Sequence, residues 1–505
     1  MNYKNADLIK ILPHINLGDG IAEQDTLLES TRIETSVFSD LLQDRVDLIP
    51  GTKGSGKSAL YRIFVEFLPI RLLRQRKIVI AHGISHHGDP VFHAFKEQFE
   101  KLSEDEFVDF WCIYFVSLAH EQFIKNDIYK DLIANCKEEI DSFRKSCQDA
   151  KIPEIQGKKS FKDILNWCLG ALKEIKPSIT YKVKTDEFQA TLFDGGEQTN
   201  KKIDEQKYTS ILPIYITAIK TALENILKKS QLSIWLMVDR LDEVFPRRSE
   251  LEKKALRGLL RTTRFFASPE IRIKIFLRDD MLSNMVNSNE GFTALTHVTS
   301  RQADVLRWEE NQIVDLIIKR LTANTILQKY LNVDMEKIDA SAEYRHEIFY
   351  MIFPKNVYKG AKQSDTTRWI YTHTADGNNV VTPRDIIFLI TKAIQKEQDI
   401  LAMNESGESD SCISSQAILY GHEQLSKNKR ITILQAEFPH LWDQIKKLEG
   451  GKTEYKEQTL KDLFGKNWEE IVANLVSIGV LSKNKDVYKV PFLYREGLEV
   501  TQGSL

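Results

Sequence analysis

Five stretches of this chain read as buried strands, and helical periodicity fills most of the rest. Apolar runs of strand length stand at 46–50, 77–81, 233–239 (SIWLMVD) and 271–277 (IRIKIFL), and 301–308 carries the pattern of a last strand. Near-continuous apolar runs of this kind mark strands covered on both faces, as in parallel sheets. Between them, residues recur at helical spacing: Leu60, Phe64, Phe67 and Leu68 after the first run, then Ile313, Ile317 and Leu321 after the last. Strands alternating with helices predict an α/β fold built on a parallel sheet. The stretch 92–230 is mostly helical, rich in aromatics near 107–111, and longer than a simple crossover requires. It reads as a helical insertion between the second and third core strands, open to a partner surface. A hairpin pattern at 178–184 and 188–193 interrupts it.

The pattern changes toward both ends. Residues 17–20 read as a turn and 22–28 as the start of a helix. Residues 381–385 (VTPRD) open an apolar-periodic helix through Ile386, Leu389, Ile390, Ala393 and Ile394. Thr382 with Asp385 reads as a capping box with Pro383 at the first helical position. The polar stretch 401–413 reads as a linker. Beyond it, 459–464 and 468–478 read as short helices, and 480–481 with 487–490 flank a turn at 484–486. Helix, turn, helix, hairpin is the order of a winged helix.

Between the first strand and its helix lies Gly51-Thr52-Lys53-Gly54-Ser55-Gly56-Lys57-Ser58, which fits G-x-x-x-x-G-K-[ST] at every position. Glycines let backbone N–H groups curl around phosphate oxygens, and the helix start at Lys57, Ser58 and Ala59 adds favourable partial charge. Lys57 supplies a cation for the β- and γ-phosphates, and the Ser58 hydroxyl a ligand for Mg²⁺. The motif therefore predicts a nucleoside triphosphate with Mg²⁺. Asp239 ends the run 233–239, where ligands of open parallel sheets bind, and is the candidate Mg²⁺ residue acting through water. Asp242 and Glu243 follow; either can orient an attacking water, with Glu243 preferred. An acidic pair capping the next helix is the plainer alternative. Arg278 ends the run 271–277. Arg384 projects from a helical first turn, where the dipole disfavours a cation, which points to an anionic partner such as phosphate. Arg257, Arg261, Arg264 and Arg301 form the pool for any arginine acting between subunits.

Composition narrows the class. The chain of 505 residues is long enough for two to four domains, and 42% apolar with 28% charged residues is ordinary for a globular protein. A net charge of −2 gives no global pull toward nucleic acid. Residues 452–499 carry eight acids and eight bases, and 468–478 holds Glu469 and Glu470 without a Lys or Arg, so protein contact is expected there in place of groove reading. Five scattered cysteines without C-x-x-C pairs read as reduced thiols of a cytoplasmic protein. The longest apolar run, 110–119, is about half of a bilayer span, so no membrane is expected. His82, His86, His87 and His93 around Asp89 read as a solvated loop, because their spacing fits no ligand pattern.

These elements in this order resemble the ASCE division of P-loop NTPases, within the AAA+ and STAND group. Asp239-Arg240-Leu241-Asp242-Glu243 is similar to the D-G-L-D-E form of STAND ATPases such as the NACHT and KAP families, with Arg240 in place of glycine. Taken with Ala22-Glu23-Gln24-Asp25 and the loop itself, it resembles a family of bacterial stand-alone P-loop ATPases often found in anti-phage loci. The resemblance implies an N-terminal lead segment (1–45), a P-loop ATPase core (46–330), a helical lid (331–400) and a winged-helix-like C-terminal domain (414–505). It implies an oligomeric, Mg²⁺-dependent ATPase acting on a protein effector, with Arg278 and Arg384 as phosphate sensors. The competing reading is an origin-recognition-like loader of nucleic acid, which shares the lid and winged helix.

Overall fold

The computed structural model describes residues 2–83, 99, 102–150, 152, 211–244, 249–286, 299–358, 360 and 363–504. The hairpin pattern at 178–193 and His86, His87, Asp89 and His93 lie outside them. Among the described residues ten strands form: β1 (Tyr3–Lys4), β2 (Leu48–Gly51), β3 (Ile78–Gly83), β4 (Ser233–Val238), β5 (Ile271–Arg278), β6 (Glu408–Ser409), β7 (Lys452–Lys456), β8 (Ser482–Asn484), β9 (Val487–Lys489) and β10 (Thr501–Ser504). The chain divides into two compact units. One gathers 1–39, 51–60 and 305–505, the other 40–50 and 61–304.

The second unit is α/β, built on a four-stranded parallel sheet in the order β2-β5-β4-β3. The predicted apolar runs form its strands. Ile234, Trp235, Leu236, Met237 and Val238 of β4 are fully buried, which is why the run shows no polar alternation. The predicted last strand 301–308 forms no full strand: Gln302 and Leu306 pair in parallel with Leu48 and Gly51 through two isolated bridges.

Part of the expected insertion proves to be core. Helices Glu104–Ala119 and Ile211–Ser230 share one hydrophobic cluster with the strands. Helix Glu104–Ala119 starts at a capping box made by Ser103 and Glu106 and buries every residue from Phe107 to Ala119. Helix Glu250–Phe266 lies against it. A Cβ on Gly258 would stand 2.6 Å from Phe107 Cβ, and Trp111 Nε1 donates to the Ala255 carbonyl at 2.9 Å. Close approach at a glycine turns the aromatic face of one helix into the other's groove. Arg261 donates to Glu104 at 2.8 Å and to Asp105 at 2.7 Å, and Arg257 lies 3.4 Å from Glu104. Two arginines of the intersubunit pool are thus spent inside the chain.

The first unit is mainly helical. Helix Glu310–Thr322 buries Ile313, Ile317 and Leu321 as their spacing predicts. Helix Pro383–Ala402 starts as predicted, with Thr382 accepting from the Asp385 amide at 3.3 Å. The reciprocal half of the box is replaced by an ion pair, Asp385 with Lys429 at 2.7 Å. Residues 401–413 are more than a linker: Glu408 and Ser409 form β6, which pairs antiparallel with β1, and Cys412 and Ile413 are buried. Helices Glu457–Phe464 and Trp468–Ser477 precede the β8–β9 hairpin in the expected order. That hairpin extends into a four-stranded sheet, β10-β7-β9-β8, which the sequence reading did not include. Residues 22–28, expected to start a helix, form successive turns instead, tied by Gln24 N to Ile21 O and Asp25 N to Ala22 O. Among the described residues no helix is long and apolar enough to cross a membrane.

Candidate nucleotide site

The loop 51–58 leaves β2 at Gly51 and enters the helix Lys57–Arg62. Gly54 (φ +82°) and Gly56 (φ +100°) take left-handed backbone, which glycine alone adopts without strain. A Cβ at Gly54 would stand 3.3 Å from Thr382 Oγ1, so the loop also needs a bare backbone against the start of helix Pro383–Ala402. Trp308 buttresses the loop, donating from Nε1 to the Ser55 carbonyl at 2.7 Å, and Leu306 bridges Gly51 in parallel.

Lys57 folds back over its own loop. Its ammonium donates to the carbonyls of Gly51 and Thr52, both at 2.8 Å. The Thr52 and Ser55 hydroxyls are buried without a hydrogen-bond partner. A buried polar atom left unpaired costs about 1–3 kcal/mol, so a loop with two such atoms fits an oxygen-rich ligand. Lys53 is held to one side by an ion pair with Glu437. Ser58 and Ala59 are half-buried in the first helical turn. Positive-φ glycines, orphan hydroxyls and a lysine at a helix start form a donor set that suits a polyphosphate.

The N-terminal turn and helix Pro383–Ala402 meet at this loop. Arg384 Nε donates to the Gly20 carbonyl at 3.1 Å, and its Cβ lies 3.7 Å from where a Gly54 Cβ would stand. Arg384 is exposed and bound to a neutral carbonyl, so its charge is not matched by that contact. The turn itself is anchored from beneath. Arg320 donates to Asp25 Oδ2 at 2.5 Å and to the Leu17 carbonyl, with both side chains of the pair buried. A Cβ on Gly18 (φ +76°) would collide with the Asp25 carboxylate at 2.2 Å. Asp25 and Arg320 were not among the expected site residues. No periodicity in the sequence marks them, since their partnership spans most of the chain.

In the second unit, Asp239 follows β4 and is buried. Arg240, where the resembling families carry glycine, has φ +58°, the backbone that a glycine would take freely. It turns the chain into the short helix Leu241–Val244, which holds Asp242 and Glu243. The Glu243 side chain lies outside the described residues. Arg278 ends β5 nearly buried. It forks onto Asp280 through Nε at 2.9 Å and Nη2 at 2.7 Å, with Asp242 at 3.5 Å from Nη1. Behind these ends, Tyr61 donates to the Gly83 carbonyl at 2.8 Å, and burial raises its phenol well above the ordinary value. Arg301 is committed to Asp47 at 2.6 Å and to Asp44.

The expected residues thus fall into two groups. Gly51 through Ala59 with Arg384 come together in the first unit, and Asp239, Asp242 and Arg278 in the second. No protein-family model matches this chain, and none of the curated proteins matches it.

Proposed function

We propose that this chain is an ATP-binding and ATP-hydrolysing enzyme of the AAA+/STAND-like P-loop kind, working as an oligomeric switch for a protein effector in bacterial anti-phage defence. The observation that carries the reading is the loop 51–58: two left-handed glycines, two orphaned hydroxyls, and Lys57 opening a helix. ATP suits this loop because its phosphate oxygens accept from all of these groups at once. Lys57 exchanges the Gly51 and Thr52 carbonyls for phosphate oxygens. On sequence grounds Ser58 is the candidate to hold Mg²⁺ and Asp239 the candidate to hold it through water; the ion would supply charge that neutralises the phosphates. Glu243 takes the proton of the attacking water as its oxygen bonds to the γ-phosphorus and the bond to ADP breaks. Arg384 stands ready to trade the Gly20 carbonyl for phosphate, and Arg278 is held as a second sensor. The roles of Asp239, Glu243 and Arg278 rest on the strands that end in or before them.

Nucleic-acid loading is less favoured. Helix Trp468–Ser477, which a groove reader would load with positive charge, carries Glu469 and Glu470 in its first turn and no base in its last. The test is Mg²⁺-dependent phosphate release measured over a range of protein concentrations. Turnover per chain that rises with concentration supports a shared-site ATPase. Absence of release at every concentration contradicts the proposal.

A further inference from the structure

The loop 51–58 has a loose joint at the peptide between Ser55 and Gly56. A peptide plane turns about ψ of the residue before it and φ of the residue after it, and a glycine in the second place accepts φ of either sign. Gly56 stands at φ +100°, so its own backbone does little to hold this plane. A side chain from far along the sequence holds it instead. Trp308 donates from Nε1 to the Ser55 carbonyl at 2.7 Å, and the bond is buried. The indole also covers Gly56, where a Cβ would stand 3.7 Å from Trp308 Cζ2. Trp308 is itself anchored on both sides. Leu306, two residues before it, bridges Gly51, and the Tyr371 hydroxyl donates to the Trp308 carbonyl at 3.3 Å. Glu309, directly after it, forms a capping box with Gln312 at the start of helix Glu310–Thr322.

The indole bond fixes a direction. The peptide is trans, so its carbonyl and its N–H point opposite ways. With the Ser55 carbonyl turned to the indole, the Gly56 N–H points away from it. Among the described residues that amide donates to no backbone carbonyl. The Gly51 and Thr52 carbonyls face the Lys57 ammonium, so neither competes for the Gly56 side of the loop. A flip of this one peptide would put a carbonyl where the N–H now stands, and an oxygen acceptor repels phosphate.

We propose that Trp308 is a positioning residue of the nucleotide site: its indole N–H holds the Ser55–Gly56 peptide so that the Gly56 N–H donates to a phosphate oxygen of ATP. This rests on the ATP reading of the loop. Two substitutions separate the donor from the packing. Trp308→Phe keeps a large apolar ring and removes the donor, leaving the buried Ser55 carbonyl to find another partner by turning. Trp308→His does the converse, because the imidazole matches the five-membered half of the indole and its Nε2 falls where Nε1 was. The test is equilibrium titration of the full chain with ATP and Mg²⁺, beside urea unfolding, in wild type and both variants. ATP affinity should fall at least about tenfold in Trp308→Phe, the loss of one charge-assisted contact, and less in Trp308→His. The urea midpoints should rank the other way, Trp308→Phe above Trp308→His, since phenylalanine leaves the smaller cavity. The same order in both measurements means packing alone and overturns the inference, as does equal ATP affinity in wild type and Trp308→Phe. Should Trp308→Phe not fold, Trp308→His decides: a loss of affinity below tenfold supports the inference and a larger one overturns it. Absence of ATP binding in the wild type fells the ATP reading and this inference with it. ATP binding that Lys57→Ala weakens and Trp308→Phe leaves unchanged overturns this inference alone.

Discussion

Arg278 grips Asp280 with two hydrogen bonds, Nε to Oδ1 at 2.9 Å and Nη2 to Oδ2 at 2.7 Å. The acid lies two residues beyond the end of β5, in the next helix, so the guanidinium is oriented by its own strand-to-helix turn. Arg278→Ala should lower ATP turnover by about 10²-fold or more, because a positioned cation is lost from the transition state, while ATP binding changes little. Asp280→Asn should cost less, through looser positioning of the same arginine. Steady-state kcat beside equilibrium ATP binding checks both, and wild-type kcat in Arg278→Ala excludes the sensor role.

Among the acids after β4, Asp242 has a charged partner in Arg278. Asp242 stands 3.5 Å from the Arg278 guanidinium, which makes it a structural partner of that arginine. Glu243→Gln should therefore retain ATP and lower hydrolysis by about 10²–10⁴-fold, the range for removing a general base. Asp239→Asn should impair Mg²⁺-dependent turnover. If Asp242→Asn traps ATP and Glu243→Gln does not, the base is Asp242.

The Asp25–Arg320 pair holds the N-terminal turn down from within. Removing one partner of a buried ion pair costs about 3–5 kcal/mol, so Asp25→Ala should lower the urea midpoint sharply. The double variant Asp25→Leu with Arg320→Met should recover much of that loss, because no charge is left buried alone. Failure of the double variant to recover would mean that the pair's bonds to backbone, Arg320 to the Leu17 carbonyl and the Asp19 and Leu27 amides to Asp25, carry the turn.

Acid should weaken the first unit. His373 is stacked between Trp369 and Phe492, with ring centroids 4.0 Å from each. Burial pushes His373 down to about 3, helped by His422 beside it, and pushes His422 down to about 4. The unfolded chain titrates these rings near 6.5, so it binds more protons below that pH. The stability they contribute is complete above about pH 6.5 and is lost as pH falls toward 4. Asp376 works the other way: burial raises it to about 6, and the folded carboxyl gains its proton first as pH falls. Burial raises Glu397 in the same sense as Asp376, and the two deeply depressed rings are expected to outweigh the two carboxyls, for a net loss of stability between pH 7 and pH 5. Urea midpoints at the two pH values check this, and a higher midpoint at pH 5 contradicts it.

Local signals in the sequence were strong where one element carries its own code. The run 233–239, the glycines of the loop and Pro383 each dictate their conformation without help from afar. What stayed hidden depends on distant partners. Asp25 stands in a short N-terminal motif with no structural role legible until Arg320, far along the chain, meets it. Arg257 and Arg261 read as candidates for a role between subunits until the first turn of helix Glu104–Ala119 supplies Glu104 and Asp105. The same helix read as insertion because its aromatics are buried all round, which erases the amphipathic signature of a helix on a sheet. The short strand β6 escaped because two polar residues form it, and only β1 gives it a partner.

The loop 51–58 carries the central claim, and Lys57 is its one charged group turned onto the loop's own carbonyls. Direct measurement of ATP binding to wild type and Lys57→Ala, by equilibrium titration with Mg²⁺ present, tests it most directly. The wild-type chain should bind ATP, and Lys57→Ala should bind it at least about tenfold more weakly, the loss of a charge-assisted contact to phosphate. ATP binding of equal strength in both proteins, or none in the wild type, contradicts the assignment of this loop as a nucleotide site.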